Sequence, residues 1–257
     1  MCIRDRGYCQ SRNLSEIGES SDRVGMSTKR EVEIMKHFFS VIICTYNRAR
    51  LLPRALDSLL AQSETDWEAI IIDDGSTDNT SEVVERYVSI CPNIRLFQRS
   101  VNRGIAAARN IGIRLSTGRF VAFLDSDDEY AVDHLAVRRK ILQNDRDIRM
   151  LHGGLQIVGN PFVVDKDNPS QKIHLAECEV GGTFVINRDV FQEVGGFDDI
   201  AYAEDSVFFE SAVESGVHCH AVSHPSYIYY RNTNGQLTSQ QLETNGQLNS
   251  SPLTVPK

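Results

Sequence analysis

Three Asp-x-Asp triplets stand in this chain, at positions 125/127, 145/147 and 165/167. Carboxylates placed so close repel one another unless a cation joins them. Oxygen ligands of this kind suit a hard ion, Mg²⁺ or Mn²⁺, completed by water and a substrate diphosphate. Such an ion would neutralise the charge that builds on a departing diphosphate. A motif this short also arises by chance in an acidic chain, so position must discriminate. Asp145 and Asp147 follow a helical stretch, and Asp165 and Asp167 lie in a polar loop; both pairs read as solvated surface. Asp125 and Asp127 alone sit at the end of an apolar run, 120–124. The plainer alternative for them is an acidic helix N-terminus with no metal.

The elements that must carry these residues follow from periodicity. Runs 39–44, 69–72, 94–97 and 120–124 are short and apolar, as expected of strands buried on both faces. Segment 51–62 places apolar residues at 51, 52, 55, 56, 59 and 60, the helical spacing, with Pro53 tolerable in the first turn. Segments 78–90, 104–116 and 130–142 are further helices, the first capped by Ser76, Thr77 or Asp78. This alternation predicts an α/β fold whose first half is a Rossmann-like, doubly wound parallel sheet, part of a mixed sheet shared with an α+β second half. Ligands of such sheets sit outside the carboxyl ends of the strands. Thr45-Tyr46-Asn47-Arg48, the acidic loop 73–78 and Asp125-Ser126-Asp127-Asp128 therefore converge on one edge.

Beyond Met150 the pattern loosens into strand 151–158, polar loop 160–170, strand 181–186, helices 188–194 and 204–215, and short strands 217–222 and 227–230. This mixed α+β part is expected to be the acceptor-side half of the same domain, 131–240, with 37–130 the nucleotide-binding half. Residues 1–36 read as a disordered leader, and their opening resembles a translated sequencing adaptor, which would move the natural start to Met26 or Met35. Residues 241–257 read as a flexible tail; Thr-Asn-Gly-Gln-Leu occurs at 233–237 and 244–248, too little for a solenoid.

Of the 257 residues, 41% are hydrophobic and 24% charged, ordinary values for a globular protein able to bury a core. The formal net charge of −8 argues against a nucleic-acid backbone as partner, while a metal or local arginines would still admit a small anion. No apolar run approaches the ~20 residues needed to span a bilayer, and no signal peptide opens the chain. The expected compartment is the cytoplasm, compatible with peripheral contact at the inner face of the membrane. None of the six cysteines forms a C-x-x-C pair, so reduced thiols are expected.

Taken in order, these segments resemble the family 2 glycosyltransferases of the GT-A fold, over about 39–238. Residues 40–48 look like that family's opening strand and nucleotide loop, Asp73-Asp74-Gly75-Ser76-Thr77-Asp78 like its uracil- and ribose-side loop, and 102–110 like the helix start beneath the donor. Residues 123–128 look like the metal-binding D-x-D. Gly195-Gly196-Phe197-Asp198 followed by Ala203-Glu204-Asp205 resembles the acceptor-side segment ending in the catalytic acidic pair. One departure is Thr233, where many relatives place a histidine after tyrosine–arginine, and it bears on metal affinity or on closing of the C-terminal loop.

The resemblance implies single displacement with inversion, from a UDP-linked or related nucleotide sugar to a hydroxyl of a glycan, lipid-linked or protein acceptor. Asp205 is the expected general base, with Glu204 beside it raising its proton affinity; first-turn capping is the structural alternative for both. Asp127 would bind the metal, and Asp125 the ribose or a metal-bound water. Asp74 would accept from the uracil imide, Thr45 and Tyr46 would frame the base, and Asp73 and Ser126 belong to the same donor loops. Arg109 and Arg48 would offset phosphate charge or pair with a nearby aspartate. Two alternatives remain: a nucleotide-sugar-binding module without catalysis, and a nucleotidyltransferase, which would normally show a glycine-rich loop after the first strand.

Overall fold

The computed structural model describes residues 35–168, 170–200 and 203–231. Strand β1 (His37–Thr45) serves two cores at once, with Phe39, Val41 and Ile43 on one side and Ile42 on the other. β2 (Trp67–Asp73) repeats the pattern, Ala69 and Ile71 against Ile70 and Ile72. Helices cover both faces, which is why these strands read as almost unbroken apolar runs. Helix α1 (Leu52–Leu60) buries Leu52, Leu56 and Leu59 fully, each worth about 1.5–3 kcal/mol. Pro53 occupies its first turn, where no intrahelical N–H bond is lost. Helix α2 (Thr80–Ile90), β3 (Ile94–Gln98), α3 (Ile105–Leu115) and β4 (Gly118–Phe123) complete the first half.

The second half adds β5 (Glu129–Tyr130), α4 (His134–Asn144), β6 (Met150–Gly159), β7 (Phe162–Val164), β8 (Lys172–His174), β9 (Val185–Asn187), α5 (Val190–Glu193), α6 (Glu204–Glu214) and β10 (Cys219–Arg231). One eight-stranded sheet runs through both halves in the order β3-β2-β1-β4-β9-β6-β10-β5. β3, β2, β1 and β4 are mutually parallel, β9 runs antiparallel to β4 and β6, β6 and β10 are parallel, and β5 is antiparallel to β10. The sheet is therefore mixed. No helix among the described residues is long and apolar enough to cross a membrane.

The first half follows its expected elements closely; the second departs in four places. Residues 160–170 are not all loop, because β7 pairs with β8 over a small core of Val163, Leu175 and Val180. The expected strand 181–186 is a 3₁₀ turn, Gly181–Thr183, followed by β9, as Thr183 and Phe184 donate back to Val180 and Gly181. The two expected C-terminal strands are one, β10, whose register with β6 shifts between Val222 and Tyr227. Pro225 lies in that gap and has no N–H for a ladder. Finally, Cys44, Cys91 and Cys219 are free thiols, whereas Cys178 is disulfide-bonded. The expectation of reduced thiols throughout therefore fails at Cys178.

A carboxylate inside the sheet shows how strictly polar groups are matched here. Glu68, on β2, is 4% exposed and accepts from Ser40 Oγ (2.7 Å), Thr117 N (2.6 Å) and Thr117 Oγ1 (2.8 Å), while Arg95 donates to its other oxygen (2.7 Å). Burial raises its carboxyl, yet these donors outweigh burial and hold it below its ordinary 4.5. The leader 1–34, Thr233, the two pentapeptide copies and the tail 241–257 lie outside the described residues.

Candidate active site

The carboxyl ends of β1, β2 and β4 hold the three polar loops on one edge, as the topology requires. Asn47 joins the first two. It adopts a left-handed conformation (φ 53°) that asparagine tolerates better than most residues. Its N–H donates to Ser76 Oγ (2.9 Å), and its Oδ1 accepts from Thr77 N (2.8 Å). Thr45 is 3% exposed, and its Oγ1 has no hydrogen-bond partner. Tyr46 is exposed at 43%, and the Arg48 amide donates to Thr80 Oγ1.

Asp73 and Asp74 face inward. Asp73 accepts from Ser76 N (2.9 Å), Ser81 Oγ (3.1 Å) and Gln98 Nε2 (3.3 Å). Asp74 Oδ2 accepts from the amides of Arg103 (3.0 Å) and Gly104 (2.8 Å), at the start of α3. Its Oδ1 lies 2.8 Å from Arg99 Nη1, an ion pair by distance whose angle falls short of a hydrogen bond. Oδ2, taking two amides, is filled, while Oδ1 accepts no hydrogen bond and keeps acceptor capacity. Both aspartates thus hold their loop, and Asp74 does so through Oδ2 and its ion pair with Arg99.

The D-x-D loop is a turn closed by Asp128 N donating to Asp125 O (3.0 Å), with Ser126 buried and Asp127 half-buried. Two residues absent from the expected site hold it. Arg54, from α1, donates to the Asp127 carbonyl and stacks 3.6 Å over the Tyr230 ring. Tyr227, fully buried on β10, accepts from Asp125 N (3.2 Å) and donates to Asp128 Oδ2 (2.9 Å). Burial, reinforced by Asp125 and Asp127, pushes the Asp128 carboxyl well above its ordinary range, against hydrogen bonds from Tyr230 N and Tyr227.

Arg109 ties this loop to the acidic pair 80 residues on. It is 4% exposed, and its Nη1 donates to Glu204 Oε1 (2.7 Å) while Nη2 reaches Asp125 Oδ1 (3.3 Å). Of its two expected tasks, the structure places it in the second, pairing with carboxylates. Burial lifts the carboxyls of Asp125 and Glu204 above their ordinary values; Arg109 opposes this, and neighbouring carboxylates, Asp205 among them, add to it. These acidic groups therefore sense one another across the site, and a single guanidinium does not balance them. Cys44 beneath them is pushed up to about 12 by burial, which keeps it protonated.

Asp205 opens α6 behind Ala203, which is left-handed (φ 73°) at a cost of about 1–2 kcal/mol. Its Oδ2 accepts from Gly181 N (2.9 Å), and Oδ1 from Ser206 N (2.9 Å). Gly181 is required by closeness: an added Cβ would stand 2.8 Å from Asp205 Cβ and 3.0 Å from Arg109 Nη1. A Cβ at Gly182 would collide with the Tyr227 hydroxyl. The signal for these contacts was present as Gly181-Gly182 in an otherwise apolar run, a common mark of close backbone approach. Nothing in the sequence signalled Tyr227 or Arg54.

As a metal centre the donor set is partial. Among the described residues no three His, Cys, Asp or Glu side chains gather into a cage. Asp125 and Asp127 are hard oxygen donors, the former already paired with Arg109, and Mg²⁺ or Mn²⁺ is commonly held by one or two carboxylates with substrate phosphates. The residues fit such an ion.

Comparison with known proteins bears on the family and the fold. A family model described as glycosyl transferase family 2 matches residues 40–195. The chain is 31% identical over 157 residues to the Escherichia coli UDP-Glc:alpha-D-GlcNAc-diphosphoundecaprenol beta-1,3-glucosyltransferase WfgD, covering 59% of this chain and 61% of that protein. It is 41% identical over 100 residues to the putative teichuronic acid biosynthesis glycosyltransferase TuaG of Bacillus subtilis, covering 39% of this chain and 40% of that one. The chain thus spans less than two thirds of the length of these curated relatives. Among solved structures, Staphylococcus aureus TarS 1–349 in complex with UDP-GlcNAc superposes with a TM-score of 0.66 at 24% identity, over 78% of this chain and 60% of that one. The mannosyltransferase PcManGT of Pyrobaculum calidifontis, in complex with GDP-Man and Mn²⁺, gives 0.62 at 24%, over 86% and 66%. At this identity the likeness speaks for the fold, the GT-A arrangement expected above. By the family model, which covers more than half of its length, the chain belongs to glycosyl transferase family 2.

Proposed function

We propose that this protein is a metal-dependent, inverting glycosyltransferase that moves a sugar from a UDP-linked or related nucleotide donor to an acceptor hydroxyl in cell-surface glycan or polysaccharide synthesis. The observation that carries this reading is Arg109, which gathers Asp125 of the D-x-D loop and Glu204 of the acidic pair around one buried guanidinium. Family membership supports it, as do relatives named for UDP-Glc and for teichuronic acid and neighbours solved with UDP-GlcNAc or GDP-Man.

Thr45 and Tyr46 frame the base, with the unsatisfied Thr45 hydroxyl ready to bond a ligand. Asp73 and Asp74 hold the loop behind them, and Arg48 and Ser126 flank the phosphates and ribose. Asp127, assisted by Asp125, holds Mg²⁺ or Mn²⁺, which when bound offsets charge on the diphosphate. Asp205 takes the proton from the acceptor hydroxyl as that oxygen forms its bond to the anomeric carbon and the nucleoside diphosphate leaves from the opposite face. Its carboxylate is kept in place by Gly181 N and Ser206 N.

The test is slow hydrolysis of UDP-glucose, UDP-GlcNAc and GDP-mannose by the full chain, with and without Mn²⁺. Asp127→Ala should abolish turnover and its metal response. Asp205→Asn should leave UDP binding intact and cut turnover about 10²–10⁴-fold. No turnover of any of the three, or a fully active Asp127→Ala, would overturn the proposal.

A further inference from the structure

Beside the acidic pair lies a histidine–carboxylate contact that the scheme above does not use. His152 Nδ1 stands 2.5 Å from Glu179 Oε2, with side-chain exposures of 15% and 19%. A carboxylate only accepts, so the proton on that hydrogen bond belongs to Nδ1. His152 lies on β6, between Leu151, which pairs with Val185 of β9, and Gly153. It therefore sits where the sheet meets the segment leading to Gly181.

We infer that His152 is a positioning residue for Asp205, holding both sides of the Gly181–Asp205 contact. On one side it fixes Glu179, two residues before the Gly181 amide that donates to Asp205 Oδ2. The next residue repeats the tie, since Gly153 N donates to Thr183 Oγ1 (3.0 Å), which in turn donates to Val180 O (2.7 Å). On the other side the imidazole packs against Phe209, ring centroids 4.9 Å apart. Phe209 lies on α6 one turn beyond Asp205, so the two share a helix face. Phe209 also stacks on Phe184 at 6.0 Å, which seats that face on the sheet. One side chain thus sets the distance between the loop that supplies the amide and the helix that supplies the carboxylate. A carboxylate displaced by an ångström loses orders of magnitude in proton transfer, because that step depends on alignment.

This inference rests on Asp205 acting as the base, and its test separates the two. His152→Phe keeps a ring against Phe209 and removes the bond to Glu179; Glu179→Gln keeps an acceptor for Nδ1–H, and Glu179→Ala does not. With whichever of UDP-glucose, UDP-GlcNAc and GDP-mannose the wild type hydrolyses, His152→Phe and Glu179→Ala should each lower kcat at least tenfold. KM for the donor and the affinity for UDP should stay within twofold, and Glu179→Gln should retain at least a third of wild-type kcat. Hydrogen exchange at the Gly181 amide should speed up at least tenfold in the two impaired variants. Unchanged kcat, or UDP affinity falling in step with kcat, would overturn the inference. A wild type that hydrolyses none of the three bears on the proposed activity alone, and unchanged protection of Gly181 in His152→Phe would then still refute the positioning role. Should His152→Phe fail to fold, the contrast between Glu179→Gln and Glu179→Ala decides by the same readouts.

Discussion

Replacing Arg109 by methionine keeps much of the side-chain bulk and deletes the charge that two buried acids depend on. Removing one partner of a buried pair costs about 3–5 kcal/mol, chiefly because the other is left desolvated and uncompensated. Glu204 carries most of this here: its side chain is 12% exposed and 2.7 Å from the guanidinium, against 30% and 3.3 Å for Asp125. The lower end applies, about 3 kcal/mol at pH 8. For a urea slope of about 2 kcal/mol per molar, the midpoint falls by about 1.5 M. Trp67, the single tryptophan and 6% exposed, reports the transition by fluorescence. The pH dependence adds a second check. Burial already lifts both carboxyls above their ordinary 4.5 and 3.8, and without Arg109 they rise further. For a group raised in the folded state, stability is fully present below the unfolded value and is lost as pH rises through the folded one. The deficit of the variant must therefore be greatest at pH 8 and shrink as pH falls toward 4.5. A deficit under about 1 kcal/mol at pH 8, or one equal at both pH values, would refute the account of a buried acid–arginine–acid bridge.

Two further outcomes concern the walls of the site. Tyr227→Phe leaves Asp128 and the Asp125 amide short of their shared partner, and should cost about 1–3 kcal/mol in the same urea assay; a neutral change would show that the hydroxyl is not structural. Glu68→Gln tests the depressed carboxyl within the sheet: burial opposes its ionisation, but Ser40, Thr117 and Arg95 prevail. A lowered folded value gives stability that is present above 4.5 and lost as pH falls through the folded value. Wild type should therefore lose stability faster than the variant on acidification below pH 4.5, and parallel curves would contradict this.

The first half was legible because its signals are local. Apolar runs with strand length, helical spacing in 51–62 and polar residues at strand ends each follow from neighbours in the chain. The loops at Thr45, Asp73 and Asp125 do share an edge, since parallel connectivity leaves no other arrangement. The inward turn of Asp73 and Asp74 was not legible, because it depends on Ser81 of α2, Gln98 of β3 and Arg99 just beyond that strand. The same holds for Arg54 and Tyr227, whose partners lie 73 and 102 residues away. The Gly181–Gly182 turn was read as strand because its closeness to Asp205 and Tyr227 is a matter of tertiary approach, which apolar flanks disguise.

The tie between Tyr227 and the D-x-D loop also orders events in time. Synthesis runs from the amino end, so β1 to β4 can pair while β10 is still unmade. Asp125 then waits for the last described strand before its amide and the neighbouring Asp128 gain their phenolic partner. Closing so long a loop is the late, entropically slow part of assembly. This edge thus gains its last tie late, and a chain halted before Tyr227 leaves β1 to β4 paired around an acidic loop that still lacks that clasp.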